Sequence, residues 1–392
     1  MTKRVLIFSL AYYPSHVSGA EVAVKEITDR IDSSAIEFVM VTHRFVADTP
    51  RVEKVGNVTV HRVGLGPSYL SKVLFVPLAA WKAAALHREK PFDACWAMMT
   101  YMLFPLVLSR LLGVRAPYIL TLQDGDPYEK VFGRWFIMPA LPILDWGFRH
   151  AAVIQAISGY LATWPARRGS KAMVEVIPNG ASVESLREFL KEELEALARS
   201  LDKKANDVYL LSIGRLEHQK GIDTVVRALA LLPQHVKLVV VGDGSRHGAL
   251  VDLVESLGLN ERVRFAGHVD RIETAKFRRV CDIFVLPSRS EGQSISLVSS
   301  MLAGLPVIAT QEGGIADFLF DAKRNPKEPT TGWAVNKDSP EQIVDAVRDI
   351  LAHPEQVERV TAHARKLVTE KYNWDTLVHD MRTRVFDTIF NA

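Results

Sequence analysis

Short apolar runs alternate with amphipathic segments along most of the chain. The runs are five or six residues long and rich in β-branched residues, and several lack polar alternation, as strands covered on both faces do. We therefore predict strands at 5–10, 38–43, 58–63, 94–99, 118–123, 152–157 and 174–179, and at 209–214, 237–242, 263–268, 283–288 and 306–310.

The segments between these runs have the spacing of amphipathic helices. In 221–232, for example, Ile222, Val225 and Leu229 share one helical face. Regular alternation of strands and helices predicts an α/β fold with parallel sheets covered by helices. Ligands of such sheets bind beyond the carboxyl ends of the strands, so the loops at those ends are where chemistry is expected.

A charge-rich segment of helical period, 183–207, separates two halves of the pattern. We interpret it as a connecting helix after a first domain, because the interior of a domain rarely contains so many charges. The length of 392 residues fits two or three domains, with 48% hydrophobic residues to fill their cores.

The amino-terminal residues share some features with a signal peptide, because Lys3 and Arg4 precede an apolar run. The run is short, however, and Tyr12, Tyr13 and Pro14 stand where a small-residue cleavage site would be. We predict a buried first strand there. No uncharged stretch reaches the roughly 20 residues of a spanning helix, so no membrane span is predicted.

The overall charge and the cysteines exclude little. A net charge of +3 gives no reason to expect nucleic acid as a partner. Cys95 and Cys281 are each flanked by apolar residues and lack metal-ligand spacing. We expect two buried thiols in a reducing compartment, which favours the cytoplasm.

One loop after a predicted strand, 214–221 with the sequence GRLEHQKG, has the chemistry of an anion site. Arg215 and Lys220 are two cations beside the start of a helix, an arrangement that suits a diphosphate. A solvated basic loop is the alternative. The glycines of a second loop, GDGS at 242–245, permit close approach of a ligand or of another backbone segment.

A third loop, RSEGQSIS at 289–296, joins a strand to a helix. Gly292 permits a sharp turn, and the unpaired amides of the following helical turn can hold a phosphate. Glu291 can accept hydrogen bonds from sugar hydroxyls. Alternatively, this carboxylate only favours the amino terminus of the helix.

Taken together and in order, these loops resemble those of the retaining glycosyltransferases of family four, which have the GT-B fold. The resemblance covers most of the chain and is strongest from 209 to 317. Its elements are SGAE at 18–21, VIPNGASV at 176–183, GRLEHQKG, VGDG, RFAGHV, LPSRSEG, MLAGLPVIATQEGG and a terminal segment beginning EKYNWD. Their joint occurrence is specific, although no single one is.

The resemblance implies two Rossmann-like domains that face each other across a cleft. The first, on the acceptor side, would comprise 1–185 with a carboxyl-terminal crossover helix at 373–392. The second, 186–372, would bind a nucleotide sugar. The function implied is transfer of a sugar, with retention, from a nucleoside-diphosphate sugar, such as a UDP- or GDP-sugar, to a carbohydrate or lipid-linked acceptor.

The resemblance also implies roles for individual residues. Arg215 and Lys220 would hold the diphosphate of the donor, and Glu291 would contact the transferred sugar; these three are the candidate catalytic residues. Residues around Gly267 and His268 would flank the base. The other candidate donor-binding residues are Gly19, Gln123, Asn179, Gly214, Gly242, Gly292, Gln293, Ser294, Ile295 and Ser299.

The chain departs from the family pattern at four positions. Ser299 stands where a second acid would grip the ribose, which predicts a donor complex about tenfold weaker. Ser18 replaces a glycine near the donor phosphate. Gln123 stands where many members have histidine, and Ser182 where aspartate is usual.

No metal or other cofactor is expected, because Arg215 and Lys220 already supply positive charge. The alternative is that Asp124 and Asp126, an Asp-x-Asp pair, hold a divalent cation on the diphosphate. The mechanism proposed for the family is front-face displacement, which needs no side-chain nucleophile.

Two segments of the first half, 67–91 and 128–150, mix aromatic and basic side chains, among them Trp81, Lys82, Arg134 and Trp135. This composition suits the surface of an anionic membrane, on its inner face. Ordinary helices with extended lysines are the alternative. Two other functions are also considered: a sugar-nucleotide epimerase on the same fold, and a non-catalytic protein that binds sugar nucleotides.

Overall fold

A computed structural model describes residues 2–14, 17–64 and 66–391. The chain divides into two compact units, 1–179 with 374–392 and 180–373. Each unit has its own parallel sheet with helices on both faces, as the alternation of apolar and amphipathic segments predicted. The division after Asn179 lies six residues before the one expected from the sequence, after residue 185.

The strands fall where the apolar runs lie, most within two residues of the predicted bounds. In chain order they are β1 (Lys3–Phe8), β2 (Ile36–His43), β3 (Val52–Val55), β4 (Val58–Val63), β5 (Ala94–Met98), β6 (Tyr118–Leu122), β7 (Val153–Ala156), β8 (Met173–Val176), β9 (Val208–Ile213), β10 (Val236–Val241), β11 (Val263–Gly267), β12 (Ile283–Leu286), β13 (Val307–Thr310) and β14 (Trp333–Val335).

The helices occupy the segments between the strands and the end of the chain. They are α1 (Gly19–Arg30), α2 (Tyr69–Glu89), α3 (Leu103–Leu111), α4 (Tyr128–Phe132), α5 (Leu141–Arg149), α6 (Gly159–Ala162), α7 (Trp164–Arg167), α8 (Lys191–Ser200), α9 (Ile222–Ala230), α10 (His247–Ser256), α11 (Arg271–Val280), α12 (Ile295–Leu302), α13 (Pro340–Ala352), α14 (Pro354–Lys371), α15 (Trp374–Asp380) and α16 (Asp387–Phe390). A π-helical turn, Met381–Phe386, joins the last two.

The sheet of the first unit has the strand order β3-β4-β2-β1-β5-β6-β7-β8, and only β3 runs antiparallel to its neighbour. The sheet of the second unit has the order β11-β10-β9-β12-β13-β14 and is parallel throughout. In each sheet the order reverses beside the first strand of the unit, between β1 and β5 and between β9 and β12. Such a reversal leaves a crevice beyond the strand ends, where ligands bind.

Two strands were missed by the sequence analysis, and both lack the apolar signal. The strand β3 has the sequence VEKV, and its side chains alternate between exposed and half-buried at the edge of the sheet. The strand β14 has three residues and is also at an edge. Edge strands are covered less fully than central ones, so hydrophobicity does not mark them clearly.

The prediction of one helix over 183–207 is wrong. A short 3-10 turn, Val183–Leu186, is separated from α8 by extended residues. The physical reason is a tertiary contact at Ser185, which is buried. Its carbonyl accepts a hydrogen bond from Arg279 (3.0 Å), and its hydroxyl lies 3.4 Å from Arg278 Nη1.

The terminal helices pack in the first unit, away from the segment that precedes them in sequence. Trp374, Met381 and Phe386 are buried in the same cluster as Phe38 of β2 and Trp96 of β5. The rings of Phe386 and Trp96 meet edge to face, with 5.3 Å between their centroids. The last helical stretch therefore covers one face of the first sheet.

Cys95 and Cys281 are buried and not joined in a disulfide. Burial raises the pKa of each thiol to about 12, so both are protonated at neutral pH. Neither has the thiolate character that reactive cysteines need.

Within the described residues, α2 is the one helix long and apolar enough to cross a membrane, by length and composition. No span was predicted from the sequence, because no uncharged stretch reaches roughly 20 residues. About two fifths of its most apolar window, 39%, is buried inside the first unit.

Candidate active site

The loop that follows β9 is held against the loop that follows β12. Gly221, in the left-handed region with φ +67°, stands directly before α9. A Cβ atom there would lie 2.2 Å from the carbonyl oxygen of Pro287, so only glycine fits. The two loops on either side of the strand-order reversal are thus in direct backbone contact.

Arg289 ties the same two loops together through side-chain and backbone hydrogen bonds. Its guanidinium donates to both carboxylate oxygens of Asp223, at 2.9 and 2.8 Å, and to the carbonyl of His218. Its backbone amide donates to the carbonyl of Gln219 (2.7 Å). The hydrogen bonds to Asp223 raise the pKa of the Arg289 guanidinium above its ordinary value, so this side chain stays positively charged. Lys220 directly follows Gln219, so these contacts hold the backbone beside it.

Lys220 and Glu291 form an ion pair across the strand-order reversal. Lys220 Nζ lies 2.5 Å from Glu291 Oε1, and the same oxygen accepts a hydrogen bond from Ser288 Oγ at 3.1 Å. The two side chains are only 14% and 6% exposed. A cation and a carboxylate are therefore fixed side by side at the carboxyl ends of β9 and β12.

Arg215, the second predicted cation of this loop, is exposed. Within the described residues its guanidinium has no carboxylate within ion-pair distance, in contrast to Lys220. It follows Gly214 at the end of β9, so it lies on the same edge of the sheet as the Lys220–Glu291 pair. An exposed guanidinium at this edge is available to an anionic ligand.

The loop that follows β10 packs directly on the loop that follows β9. Gly242 has φ +130°, and a Cβ atom there would lie 2.0 Å from the carbonyl oxygen of Gly214. Ser245 donates to both carboxylate oxygens of Glu217, from its amide at 3.2 Å and from its hydroxyl at 2.7 Å. Gly214 and Gly242, both predicted at the site, are thus neighbours.

The helix α12 begins three residues after Gly292 of the Glu291–Gly292 turn. Gln293 is buried, and Ser294 has a positive φ of 99°, which is rare for a residue with a side chain. Ile295 is the first helical residue, so the unpaired amides of the first turn begin there. The chain makes the sharp turn predicted at Gly292, and the strain lies two residues later.

Ser299, the predicted ribose contact, lies inside the second unit. Its side chain is fully buried, and its Oγ accepts a hydrogen bond from the backbone amide of Ser182 at 2.9 Å. Ser182 Oγ in turn donates to Glu184 Oε2 (2.6 Å), which pairs with Arg271 at 2.9 Å. Two of the four departures from the family pattern therefore contact each other.

His268 follows β11 and is exposed, beside Gly267 with φ +67°. This end of β11 is separated from β9 by β10 in the sheet. The position is compatible with the predicted role beside a base, which stays a prediction.

In the first unit, Gln123 and Asn179 come together although 56 residues separate them in sequence. Asn179 Nδ2 donates to Gln123 Oε1 at 3.1 Å, and both side chains are buried. Gln123 directly follows β6 and Asn179 follows β8. The structure thus joins two of the predicted residues at the carboxyl edge of the first sheet.

Asp124 is a buried carboxylate at this same edge. Its Oδ2 accepts hydrogen bonds from the amide (3.3 Å) and the hydroxyl (2.9 Å) of Thr100, which follows β5. Burial raises the pKa of Asp124 to about 6 despite these hydrogen bonds. The sequence analysis considered this residue only as a metal ligand.

Gly19 is the first residue of α1, and Ser18 caps that helix. The amide of Ser18 donates to Glu21 Oε2 at 2.8 Å, and its hydroxyl donates to the same oxygen at 2.5 Å. The serine that replaces a family glycine therefore has a structural role in the capping box.

Asp126, the other acid of the Asp-x-Asp pair, has ion-pair partners of its own. It pairs with Lys130 and Arg134, each at 2.8 Å. In the ranges that the structure describes, no group of three or more potential metal-ligating side chains occurs.

Sequence reasoning missed Arg289, Ser288 and Thr100. Arg289 and Ser288 lie within three residues of Glu291, inside the motif already quoted, so position alone could have identified them. Thr100 gave no signal, because nothing in the sequence indicates which residue of one strand end will contact Asp124 of the next.

Two protein families match the chain, one in each half. The family described as glycosyl transferase 4-like domain matches 18–180, and glycosyl transferases group 1 matches 194–367. An uncharacterised glycosyltransferase of Methanocaldococcus jannaschii is 31% identical over 391 residues, covering 96% of each chain. A GDP-mannose-dependent phosphatidylinositol monomannoside mannosyltransferase of Mycobacterium tuberculosis is 29% identical over 236 residues, 57% of this chain and 59% of that protein.

Solved structures of glycosyltransferases share the fold. Sucrose-phosphate synthase of Thermosynechococcus elongatus matches with a TM-score of 0.85 and 19% identity, over 99% of both chains. HepE of Anabaena, solved in complex with UDP-glucose, matches with a TM-score of 0.78 and 18% identity, over 98% of this chain and 99% of that one. The predicted GT-B fold is confirmed. The chain belongs to the glycosyltransferases, and it combines a glycosyl transferase 4-like domain with a domain of glycosyl transferases group 1.

Proposed function

We propose that the protein transfers a sugar from a nucleoside-diphosphate sugar to a carbohydrate or lipid-linked acceptor, with retention at the anomeric carbon and without a metal ion. The observation that carries this proposal is the buried Lys220–Glu291 pair at the strand-order reversal of the second unit, directly before the start of α12. This edge of the sheet therefore carries a cation, a carboxylate that would bind hydroxyls of the sugar, and the first amides of a helix.

The chemistry assigned to these groups is stabilisation of a leaving group. The bond between the anomeric carbon and the distal phosphate oxygen breaks, and the acceptor oxygen forms the new bond on the same face. The acceptor proton moves to the departing phosphate. Lys220, Arg215 and the first amides of α12 would neutralise the charge that develops on that phosphate.

Glu291 has a different part in this scheme. Its Oε1 already accepts from Lys220 and Ser288, which orients the carboxylate. The remaining oxygen would accept hydrogen bonds from hydroxyls of the transferred sugar, and so set the anomeric carbon against the phosphate. Orientation of this kind lowers the barrier by positioning the reacting groups.

The printed names of relatives support a nucleotide-sugar donor without fixing which one. The mycobacterial relative is dependent on GDP-mannose and acts on a phosphatidylinositol mannoside, a lipid-linked acceptor. The Anabaena structure holds UDP-glucose. We propose the same class of donor here, no other cofactor, and a cytoplasmic location.

Thermal-shift titration of the full-length protein with UDP-, GDP- and ADP-sugars tests the proposal. A ligand at a hundred times its dissociation constant stabilises the folded state by about 2.7 kcal/mol. That is several degrees of melting temperature at about 2–4 °C per kcal/mol. We expect one nucleotide to shift the transition and the others to leave it unchanged. If no nucleotide sugar shifts it, the donor assignment is wrong.

The variant Arg215→Ala separates function from stability. Arg215 is exposed, so its removal should leave unfolding unchanged within about 0.5 kcal/mol. With the donor found above, turnover should fall about a hundredfold or more, because a charge-stabilising donor is lost. Arg359→Ala, at an exposed arginine on α14, is the matched control and should keep full turnover.

A non-catalytic protein that binds sugar nucleotides is the second candidate. The observation that favours it is at Ser299, which stands where the family pattern has an acid for the ribose. The serine is fully buried, and its hydroxyl already accepts a hydrogen bond from the amide of Ser182. Slow hydrolysis of the bound donor by the wild-type protein, reduced in Arg215→Ala, would exclude this candidate. Donor binding without any turnover over a panel of acceptors would favour it.

A further inference from the structure

The first unit exposes a row of large apolar side chains on α2. Leu70, Val73, Leu74, Leu78 and Trp81 follow one another at helical spacing, and each is 42% or more exposed. Monomeric soluble proteins rarely expose contiguous apolar surface of this kind unless something binds to it. The opposite side of the same helix is also apolar, but it is covered by the core.

This row continues onto a second segment of the chain. Tyr69, at the start of α2, meets the ring of Phe136 edge to face, with 6.1 Å between centroids. Phe136 meets Trp135 in the same way at 5.8 Å, and Trp135 is 82% exposed. We call the surface formed by the row, Tyr69, Phe136 and Trp135 the aromatic face.

The charges beside the aromatic face are mainly basic. The helix α2 contains Lys72, Lys82 and Arg88, and its one acid is the terminal residue Glu89. Residues 131–144 contain Arg134 and no acid, although Arg134 itself pairs with Asp126 at 2.8 Å. An apolar surface bordered by cations complements a surface that is apolar within and anionic at its rim.

The helix cannot leave the first unit to cross a bilayer. Phe75, Ala79 and Ala83 on its inner side are fully buried and belong to the core beneath the sheet. Removing them from that core would expose buried apolar surface and leave a cavity beside the sheet, so α2 stays where it is. Only its exposed side is left to contact lipid.

We propose that the aromatic face docks the first unit on an anionic lipid bilayer, with α2 parallel to the membrane plane. Trp81 and Trp135 lie at the level of the headgroups, where amphipathic aromatic rings are favoured. Lys72, Lys82 and Arg88 contact anionic lipid headgroups. This inference concerns binding alone and does not depend on the sugar-transfer activity.

Sedimentation with vesicles tests the proposal in the absence of any sugar nucleotide. The full-length protein should pellet with phosphatidylcholine vesicles that contain about 30% phosphatidylglycerol and remain in solution with phosphatidylcholine alone, since the anionic lipids supply the attraction. At about 0.5 M salt the binding should weaken, because the Debye length falls to several ångströms.

Two double variants separate the apolar from the ionic contribution. Leu74→Ser with Trp81→Ser should lower the partition coefficient at least about tenfold, because two exposed apolar side chains no longer enter the lipid. Lys72→Gln with Lys82→Gln should also lower it about tenfold or more. All four side chains are at least partly exposed, so melting curves should stay unchanged.

Matched controls come from the second unit. Leu231→Ser with Leu351→Ser changes two apolar side chains of similar exposure, 53% and 46%, and should leave vesicle binding unchanged. Lys323→Gln with Lys327→Gln controls for loss of charge in the same way.

Two results would overturn the proposal. One is a wild-type protein that stays in solution with anionic vesicles at low salt. The other is a Leu74→Ser/Trp81→Ser variant that binds as the wild type does. Light scattering identifies a rival occupant: if the wild type is a dimer and this variant a monomer, with no vesicle binding by either, the aromatic face joins two copies of the chain.

Discussion

At the scale of single residues, Lys220 and Glu291 depend on each other. Their side chains are nearly buried, so neither charge can be removed without leaving the other without its partner in a poorly solvated place. The functional role proposed for Lys220 is therefore combined with a structural one. Arg215, which is exposed, has no such double role.

We predict that Lys220→Met destabilises the second unit by about 3 kcal/mol, as breaking a buried ion pair on one side does. The double variant Lys220→Met/Glu291→Gln should regain a large part of this loss, because no uncompensated charge remains. Urea unfolding of the single and double variants measures the coupling. Additive losses would show that the pair is not coupled in solution.

Asp124 gives a prediction that depends on pH. The carboxyl has an ordinary pKa of 3.8 when unfolded and about 6 in the folded protein. Between these values the folded state binds a proton that the unfolded state does not. The contribution of Asp124 to the stability of the folded protein is therefore greatest below pH 4 and is lost as the pH rises through 6.

The variant Asp124→Asn removes this dependence while keeping an oxygen for the Thr100 donors. Relative to wild type, it should gain about 2 kcal/mol of stability between pH 4.5 and pH 7, since each pH unit in this window corresponds to at most about 1.4 kcal/mol. Urea unfolding at the two pH values measures the difference. Equal stability changes in the two proteins would contradict the raised pKa.

At the scale of elements, the three loops of the second unit are held together by close backbone contacts. Gly242 lies against the carbonyl of Gly214, and Gly221 against that of Pro287. Because both have positive φ, a side chain at either position would meet backbone atoms as well as an unfavourable conformation. The site is thus formed by contacts that leave no room for a Cβ atom.

We predict that Gly242→Ala destabilises the protein by more than about 2 kcal/mol and abolishes the thermal shift with the donor. A displaced Gly214 segment would carry Arg215 with it. Gly248→Ala on α10 is the control: a Cβ atom there has open space, so alanine should be neutral or stabilise the helix by about 0.5–1 kcal/mol. Similar unfolding curves for the two variants would count against the close packing of these loops.

The contact between Ser182 and Ser299 also belongs to this scale, because it joins α12 to the segment that enters the second unit. Each serine departs from the family pattern, and together they form a buried hydrogen bond. Two small neutral side chains therefore pack at this buried position, where two carboxylates would have needed positively charged partners. A donor complex weaker than in relatives with the acids stays a prediction, open to direct binding measurements.

At the scale of the whole molecule, the proposed chemistry needs no metal ion. Asp126 is paired with two cations, and Asp124 with Thr100. We predict that sugar transfer survives an excess of EDTA with no more than about a twofold change in rate, since the leaving group is stabilised by Arg215 and Lys220. Loss of activity that Mn²⁺ restores would show that the Asp-x-Asp pair, or another set of ligands, holds a cation.

The architecture of each unit followed from the apolar pattern, because central strands of parallel sheets are covered on both faces and must be hydrophobic. Edge strands such as β3 are covered less fully, and they were missed. The helix predicted over 183–207 failed for a related reason. The helical period and the charges of this segment favoured a helix. The Ser185 carbonyl instead accepts a hydrogen bond from Arg279, which is far away in sequence, so no local pattern indicates this contact.

By itself, the sequence determined most of the strands, the two-unit organisation and the motif residues Arg215, Lys220, Glu291 and Gly242, because their signals are local along the chain. Only the tertiary structure decided which of them are buried or paired. Lys220 meets Glu291 across 71 residues, Ser182 meets Ser299 across 117, and Tyr69 meets Phe136 in the aromatic face. Such contacts depend on the order of strands in a sheet and the packing of helices on it, and these are properties of the folded chain as a whole.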